Sequence, residues 1–173
     1  MDTIFNYLAA AWLALAAAAP AQAQQMAAPA RIDFASLPLQ RAIKVVHGNG
    51  ARRLAVFSDP DCPYCQLLER DTLERLDNVT IYTFLFPLAR HGDAARKSQL
   101  IWCAPDPALA WQEWMRYRKL PAARACVPPL RANLTLANKL GIRVTPTLIL
   151  PQGEAVLGAI DAETLEGKLG ESP

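Results

Sequence analysis

Two cysteines separated by two residues stand between a predicted strand and a predicted helix, and this feature constrains the fold most. Residues 54–57 are an apolar run typical of a buried central strand. The sequence C-P-Y-C follows at 62–65, and leucines at 67, 68, 73 and 76 continue it at helical spacing. Residues 79–86 then carry the β-branched and aromatic side chains of a second strand. The pattern predicts a strand–helix–strand unit whose helix begins at the cysteines.

The amino-terminal segment resembles an export signal. Residues 4–19 are apolar apart from Asn6, and Pro20 ends the run. Ala21 and Ala23 place small residues at the two positions that a cleavage site needs. The run is also short for a membrane span, which takes about 20 residues. We therefore expect residues 1–23 to be a cleaved signal peptide and the chain to be exported to the bacterial periplasm, where disulfides persist.

The remaining sequence divides into a leader and one domain. Residues 24–50 are expected to form a flexible Ala/Pro/Gln-rich leader and then a linker helix, with Leu39, Ile43 and Val46 on one helical face. Residues 51–173 are expected to form a single α/β catalytic domain, since the chain is 52% hydrophobic and 20% charged. The net charge of +2 is not clustered, which argues against a nucleic-acid groove or an electrostatic membrane patch.

The second half of the chain reads as helices followed by two strands and a last helix. Helices are predicted over 92–102, 106–118 and 133–139, strands over 144–150 and through 156–157, and a final helix from Asp161. Trp111, Trp114 and Met115 form an apolar stripe at helical spacing. We interpret this stripe as core packing, and an exposed surface that binds client proteins is the alternative.

The chemistry is predicted at Cys62 and Cys65. Cysteines three residues apart on the first turn of a helix can form a disulfide without moving the backbone. Cys62 lies at the helix amino terminus, where free N–H groups and the helix dipole stabilise a thiolate, so we predict that it attacks and that Cys65 resolves. Pro63 suits the first helical position, and Pro63 and Tyr64 tune the redox potential.

Zinc binding and an inert disulfide are the alternatives for Cys62 and Cys65. A zinc ribbon needs two close cysteine pairs, whereas Cys103 and Cys126 lie far apart in the sequence. A disulfide across two residues stabilises little, since it closes a very short loop. Cys103 and Cys126 have no neighbour that would activate them, and a bond between them would contribute about 3 kcal/mol, so both are interpreted as structural. No metal and no cofactor are expected.

Three segments together resemble the catalytic domain of the DsbC/DsbG family of periplasmic disulfide isomerases. They are F-S-D-P-D-C-P-Y-C at 57–65, I-W-C-A at 101–104 and G-I-R-V-T-P at 141–146, and the resemblance runs from about residue 53 to the end. It implies a thioredoxin fold with a helical insertion between the βαβ half and the carboxy-terminal ββα half. It also implies a redox-active disulfide at Cys62 and Cys65 and a structural one at Cys103 and Cys126. A cis bond between Thr145 and Pro146 would face the CxxC motif and bind substrate as an added strand.

The sequence departs from the thioredoxins at the residue that would carry a proton. Thioredoxins have a buried acid on the strand before the first cysteine, and Val56 takes that position here. We therefore expect a water molecule, Asp59 or Asp61 to take this role. His47 and His91 have no carboxylate or cysteine at a spacing that indicates a triad, and both are expected to be surface or structural residues.

These observations predict a periplasmic thiol–disulfide oxidoreductase. It would reduce or isomerise disulfides in exported proteins through a mixed disulfide at Cys62, and a membrane or periplasmic redox partner would restore it. The resemblance places the dimerisation domain of the isomerases before the linker helix, and the sequence lacks it, so a monomer is expected. The alternatives are a thiol oxidase, and a non-catalytic chaperone or assembly accessory that binds clients at Trp111 and Trp114.

Overall fold

Five strands form one mixed sheet in the computed structural model, which describes residues 31–170. The strands are β1 Ile43–His47, β2 Arg52–Ser58, β3 Val79–Leu85, β4 Thr147–Ile149 and β5 Ala155–Leu157. Their order in the sheet is β1-β3-β2-β4-β5. β2 and β3 are parallel, and the other neighbouring pairs are antiparallel. β2 therefore lies at the centre of the sheet, and its carboxyl end leads to the CxxC motif.

In the part of the chain that the structure describes, five α-helices surround the sheet. They are α1 Pro63–Asp71, α2 Ala94–Trp102, α3 Pro107–Tyr117, α4 Leu130–Lys139 and α5 Ala162–Gly170. Two aspartates cap helices as the sequence suggests: Asp106 accepts from the Leu109 amide at 3.0 Å, and Asp161 accepts from the Thr164 amide at 2.9 Å. α2, α3 and α4 all lie between β3 and β4, which is the predicted helical insertion. Within residues 31–170, no helix has the length and apolar character to cross a membrane.

The prediction of a linker helix with Leu39, Ile43 and Val46 on one face is wrong. Residues 43–47 form β1 instead, preceded by two 3₁₀ turns at Phe34–Ser36 and Leu39–Arg41. The side chains of β1 alternate, with Ile43 buried and Lys44 exposed. The β-branched side chains of Ile43, Val45 and Val46 suit a strand. Pairing with β1 also gives hydrogen-bond partners to backbone N–H and C=O groups of β3, which would have none if this segment were a helix.

The folded region begins earlier than the predicted boundary at residue 51. Ile32, Phe34 and Leu37 are buried in the same cluster as Phe57 of β2, and the Ile32 amide donates to the carbonyl of Gly153 at 2.9 Å. The segment from residue 32 onward is thus part of the domain. The predicted signal peptide, 1–23, and residues 24–30 of the predicted leader lie outside the described residues.

Both faces of β2 are buried from residue 54 onward, which explains the unbroken apolar run at 54–57. Leu54 and Val56 pack into one cluster, and Ala55 and Phe57 pack into another on the opposite face. The Phe57 ring stacks on Phe84 of β3 with centroids 4.8 Å apart. A strand covered on both sides loses nearly all contact with water, so β2 is a rigid support for the residues that follow it.

A third cluster joins the insertion helices to the CxxC motif. Trp111, Trp114 and Met115 of α3 are buried there together with Cys62 and Cys65. This confirms the prediction of core packing for the tryptophan stripe. The alternative, an exposed client-binding surface at Trp111 and Trp114, is wrong because these side chains have almost no contact with solvent.

A disulfide ties the end of α2 to an exposed segment. Cys103 follows α2, and Cys126 lies in the irregular stretch before α4. The structure bonds these two sulfurs to each other, with the Cα atoms 5.6 Å apart. The stretch 119–129 has little buried surface of its own, so the disulfide is a principal tether between it and the insertion helices.

Candidate active site

Cys62 lies where the central strand ends and α1 begins. Its backbone is extended and occupies the capping position of α1, and Pro63 follows at the first helical position. The Cys62 carbonyl accepts from the amides of Cys65 at 3.1 Å and Gln66 at 3.2 Å. Cys62 and Cys65 are free thiols and are buried, whereas the Tyr64 side chain between them is 64% exposed. The motif therefore combines two buried sulfurs with an exposed aromatic side chain between them in the sequence.

The surroundings of Cys62 favour its thiolate. A hydrogen bond from the Cys65 side chain is the main cause that lowers the pKa of Cys62 to about 5, and burial opposes it. The Thr145 side chain and then the Cys65 and Tyr64 amides lower this pKa further. In its thiol form the Cys62 Sγ donates to the carbonyl of Thr145 at 3.3 Å. Because the thiolate is the nucleophile in disulfide exchange, Cys62 is suited to attack at neutral pH.

Cys65 has the opposite character. Burial raises the pKa of the Cys65 thiol far above its ordinary value, and its hydrogen bond to Cys62 raises it further. The Asp59 amide donates to the Cys65 Sγ at 3.5 Å. Cys65 is thus a protonated thiol that stabilises its neighbour, as a resolving cysteine requires.

The pH dependence of alkylation tests this asymmetry. We expect iodoacetamide to modify Cys62 rapidly at pH 7 and the rate to fall as the pH drops through about 5, because protonation removes the nucleophile. The rate is measured by mass spectrometry, with Cys62→Ser as the control. A midpoint near the ordinary thiol value of about 8.5 would contradict the stabilised thiolate.

The loop before β4 lies against Cys62. The bond between Thr145 and Pro146 is cis, and the Thr145 carbonyl is the group that contacts the Cys62 sulfur. The Pro146 carbonyl accepts from the Gly158 amide at 2.8 Å, which links this loop to the end of β5. The structure therefore brings together Cys62 and Thr145–Pro146, which are far apart in the sequence.

Asp59 and His91 form a pair that the sequence did not indicate. The Asp59 side chain is completely buried, and its Oδ2 accepts from the His91 Nδ1 at 2.9 Å and from the Leu88 amide at 2.7 Å. Its Oδ1 accepts from the Asp61 amide at 2.7 Å. His91 was expected to be a surface or structural residue, and the structure gives it a carboxylate partner that its spacing in the sequence does not indicate. No local spacing could reveal a partner 32 residues away.

A family model described as a thioredoxin-like domain matches residues 39–172. The chain belongs to the thioredoxin-like family. This membership confirms the predicted α/β thioredoxin fold, whose βαβ half carries the CxxC motif and whose ββα half carries the Thr145–Pro146 loop.

Relatives place the chain with the disulfide interchange proteins of this family. It is 43% identical over 138 residues to the probable thiol:disulfide interchange protein DsbC of Bordetella parapertussis, covering 80% of this chain and 49% of that protein. It is 29% identical over 109 residues to the thiol:disulfide interchange protein DsbC of Escherichia coli K12, covering 61% of this chain and 45% of that protein. The chain thus spans about half the length of the curated relatives it matches.

A solved structure agrees with this placement. The crystal structure of a disulfide interchange protein from Neisseria gonorrhoeae has a TM-score of 0.74 and 43% identity, and the match covers 78% of this chain and 97% of that chain. The catalytic domain of Proteus mirabilis ScsC, 24% identical with a TM-score of 0.62, shares the fold. The resemblance to the DsbC/DsbG family read from the three motifs is confirmed.

The insertion helices of this thioredoxin-like domain hold the loop that precedes Cys62. The Trp114 Nε1 donates to the Pro60 carbonyl at 2.7 Å. Lys97 lies 4.8 Å and Arg118 5.2 Å from the centroid of the Trp114 ring, and the Lys97 Nζ pairs with an Asp61 oxygen at 2.6 Å. Trp114 thus fixes residues 60–61 as well as filling the core, a role that its spacing in the sequence did not show.

Replacing Lys97 tests the strength of this arrangement. Lys97→Met keeps the apolar stem but removes the ion pairs with Asp61 and Asp93 and the cation over Trp114. We therefore expect the free energy of unfolding to fall by about 1–2 kcal/mol. Arg96→Met on the same helix is the control, since Arg96 is 59% exposed and solvent screens its pair with Asp93, so its effect on stability should be much smaller. Urea unfolding measures both. Equal effects of the two substitutions would show that Lys97 contributes no more than a surface charge.

Proposed function

We propose that this chain is a thiol–disulfide oxidoreductase that reduces or isomerises disulfides in exported proteins. The observation that carries the proposal is the pairing of a stabilised Cys62 thiolate with a buried, protonated Cys65 at the start of α1. The names of the Bordetella and Escherichia relatives, thiol:disulfide interchange proteins, support the same chemistry.

The reaction begins with attack by Cys62. Its thiolate bonds to one sulfur of a substrate disulfide, the substrate S–S bond breaks, and the other substrate sulfur leaves as a thiolate. In reduction, Cys65 loses its proton to solvent and attacks the Cys62 sulfur, which releases the second substrate thiolate and leaves Cys62 and Cys65 as a disulfide. In isomerisation, another thiolate of the substrate attacks the substrate sulfur that is bonded to Cys62. A different substrate disulfide forms, the bond to Cys62 breaks, and Cys62 leaves as a thiolate ready for another round.

The Thr145–Pro146 loop and Tyr64 are proposed to bind the substrate. An extended segment that crosses Cys62 would run beside the backbone of this loop, which lies within hydrogen-bond distance of the sulfur. The exposed ring of Tyr64, two residues after Cys62, offers a flat apolar surface to the substrate. Both features would bind substrates of many different sequences, because the loop offers backbone groups and Tyr64 offers a flat aromatic surface.

The setting of this activity is also proposed. Residues 1–23 would act as a signal peptide that directs the chain to the periplasm, where it would work as a monomer. A membrane or periplasmic redox partner would reduce the Cys62–Cys65 disulfide after each round of reduction. The structural disulfide at Cys103 and Cys126 suits such an oxidising compartment.

Turnover assays test the proposal. We expect the purified chain to accelerate both the reduction of insulin by dithiothreitol and the recovery of activity by ribonuclease with scrambled disulfides. Failure in both assays would overturn the proposed function. Transfer of disulfides into a reduced peptide faster than either reaction would overturn the reductive direction and favour a thiol oxidase.

A further inference from the structure

A buried carboxylate connects the segment before Cys62 with the segment after β3. Asp59 follows β2 directly and accepts three hydrogen bonds, one from the Asp61 amide and two from Leu88 and His91. The Asp59 side chain has no exposed surface, and that of His91 is 18% exposed. A buried carboxylate is stable only when its oxygens are bonded, so these donors fix the position of the Asp59 residue.

The backbone of the same residue contacts the resolving cysteine. The Asp59 amide donates to the Cys65 sulfur at 3.5 Å. Burial is the main cause that raises the pKa of the Cys65 thiol, and the Asp59 amide is one of the groups that lower it. A donor aimed at a sulfur stabilises the thiolate that must form there before Cys65 can attack.

We propose that His91 is a positioning residue for resolution: through the Asp59 carboxylate it holds the Asp59 amide against the Cys65 sulfur. The inference rests on the proposed function, since resolution is its second step. His91 touches neither cysteine in this account and acts only through Asp59. β2 offers no acid at Val56, and the group that contacts the Cys65 sulfur is instead the amide of Asp59, directly after the strand.

The step that His91 assists begins from the mixed disulfide between Cys62 and substrate. Cys65 releases its proton to solvent, and its sulfur bonds to the Cys62 sulfur. The bond between Cys62 and the substrate sulfur breaks, and the substrate leaves as a thiolate with the electron pair. The two protein thiols are thereby oxidised and the substrate disulfide is reduced. The Asp59 amide stabilises the negative charge on Cys65 before the new bond forms.

A two-phase reaction separates attack from resolution. The fully reduced protein is mixed with the aromatic disulfide dithionitrobenzoate in a stopped-flow spectrophotometer. The first coloured thiolate appears when Cys62 attacks, and the second appears when Cys65 resolves the adduct. Three variants are compared with wild type: His91→Phe loses the Nδ1 donor, His91→Asn keeps a donor at the same reach, and His47→Phe is the control.

His47 is a matched control because it makes a similar bond away from the site. Its Nδ1 lies 3.0 Å from the Leu76 carbonyl, and it pairs in register with Val79 at the start of β3. The CxxC motif follows the opposite end of the parallel strands β2 and β3. His47→Phe thus removes a histidine hydrogen bond without touching the loop of Asp59.

We expect His91→Phe to slow the second phase about tenfold and to leave the first phase unchanged, since one hydrogen bond to a charged group is lost. His91→Asn should restore the second phase, and His47→Phe should match wild type in both. A second phase that is unaffected by His91→Phe, or not restored by His91→Asn, would overturn the positioning role. If the wild type shows no first phase, the proposed function itself fails, which is a distinct result.

Discussion

Replacing Cys62 with serine is expected to reduce the rate of insulin reduction about a thousandfold or more, to that of buffer with dithiothreitol alone. A serine hydroxyl is not ionised at neutral pH and cannot form a disulfide with substrate, so the first step is lost. Cys65→Ser should also stop multiple turnover, but it keeps the attacking sulfur. The rate is measured from the turbidity of the released insulin chains.

The two serine variants together show which cysteine attacks the substrate and which resolves the mixed disulfide. In the reaction with dithionitrobenzoate, Cys65→Ser should retain the first phase and lose the second, whereas Cys62→Ser should lose both rapid phases. Rapid attack by Cys62→Ser would mean that Cys65 is the nucleophile. That result would reverse the assignment drawn from the position of Cys62 at the start of α1.

The second large effect is expected on stability. Cys103→Ala with Cys126→Ala should lower the free energy of unfolding by about 3 kcal/mol, because the disulfide closes a loop across 23 positions of sequence and restrains the unfolded chain. Urea unfolding measures the change. The alkylation of Cys62 should keep its pH midpoint, since the two cysteine pairs have separate roles.

A redox control separates the disulfide from the packing of the cysteine side chains. In a background with Cys62→Ser and Cys65→Ser, protein with Cys103–Cys126 reduced should lose a similar amount of stability. The same background with Cys103→Ala and Cys126→Ala should not respond to reductant. An alanine variant as stable as the oxidised wild type would contradict a structural role for this bond.

Local patterns were enough to predict the half of the fold that carries the cysteines. The apolar run of β2, the CxxC motif at the start of α1 and the β-branched residues of β3 each signal their structure within a few residues. The segment 36–47 was not predictable in this way. Leu39, Ile43 and Val46 fit a helical face, but the open edge of β3, more than 30 residues later in the sequence, determines that β1 is a strand.

The candidate site shows the same division between local and distant information. Cys62 and Cys65 are adjacent on one helix turn, so their spacing predicts their chemistry. The bond between His91 and Asp59 and the support of Pro60 by Trp114 join segments 32 and 54 residues apart. Periodicity shows that Trp114 faces inward but not which carbonyl its ring nitrogen meets.

One measurement addresses the central claim, that Cys62 forms the mixed disulfide with substrate. Cys65→Ser is incubated with an oxidised protein substrate, free thiols are blocked with iodoacetamide, and the digest is analysed by mass spectrometry without reduction. We expect substrate peptides linked by disulfide to the peptide that contains Cys62, and Cys103 still bonded to Cys126. Substrate linked through Cys103 or Cys126, or no linked substrate at all, would contradict this account of the site.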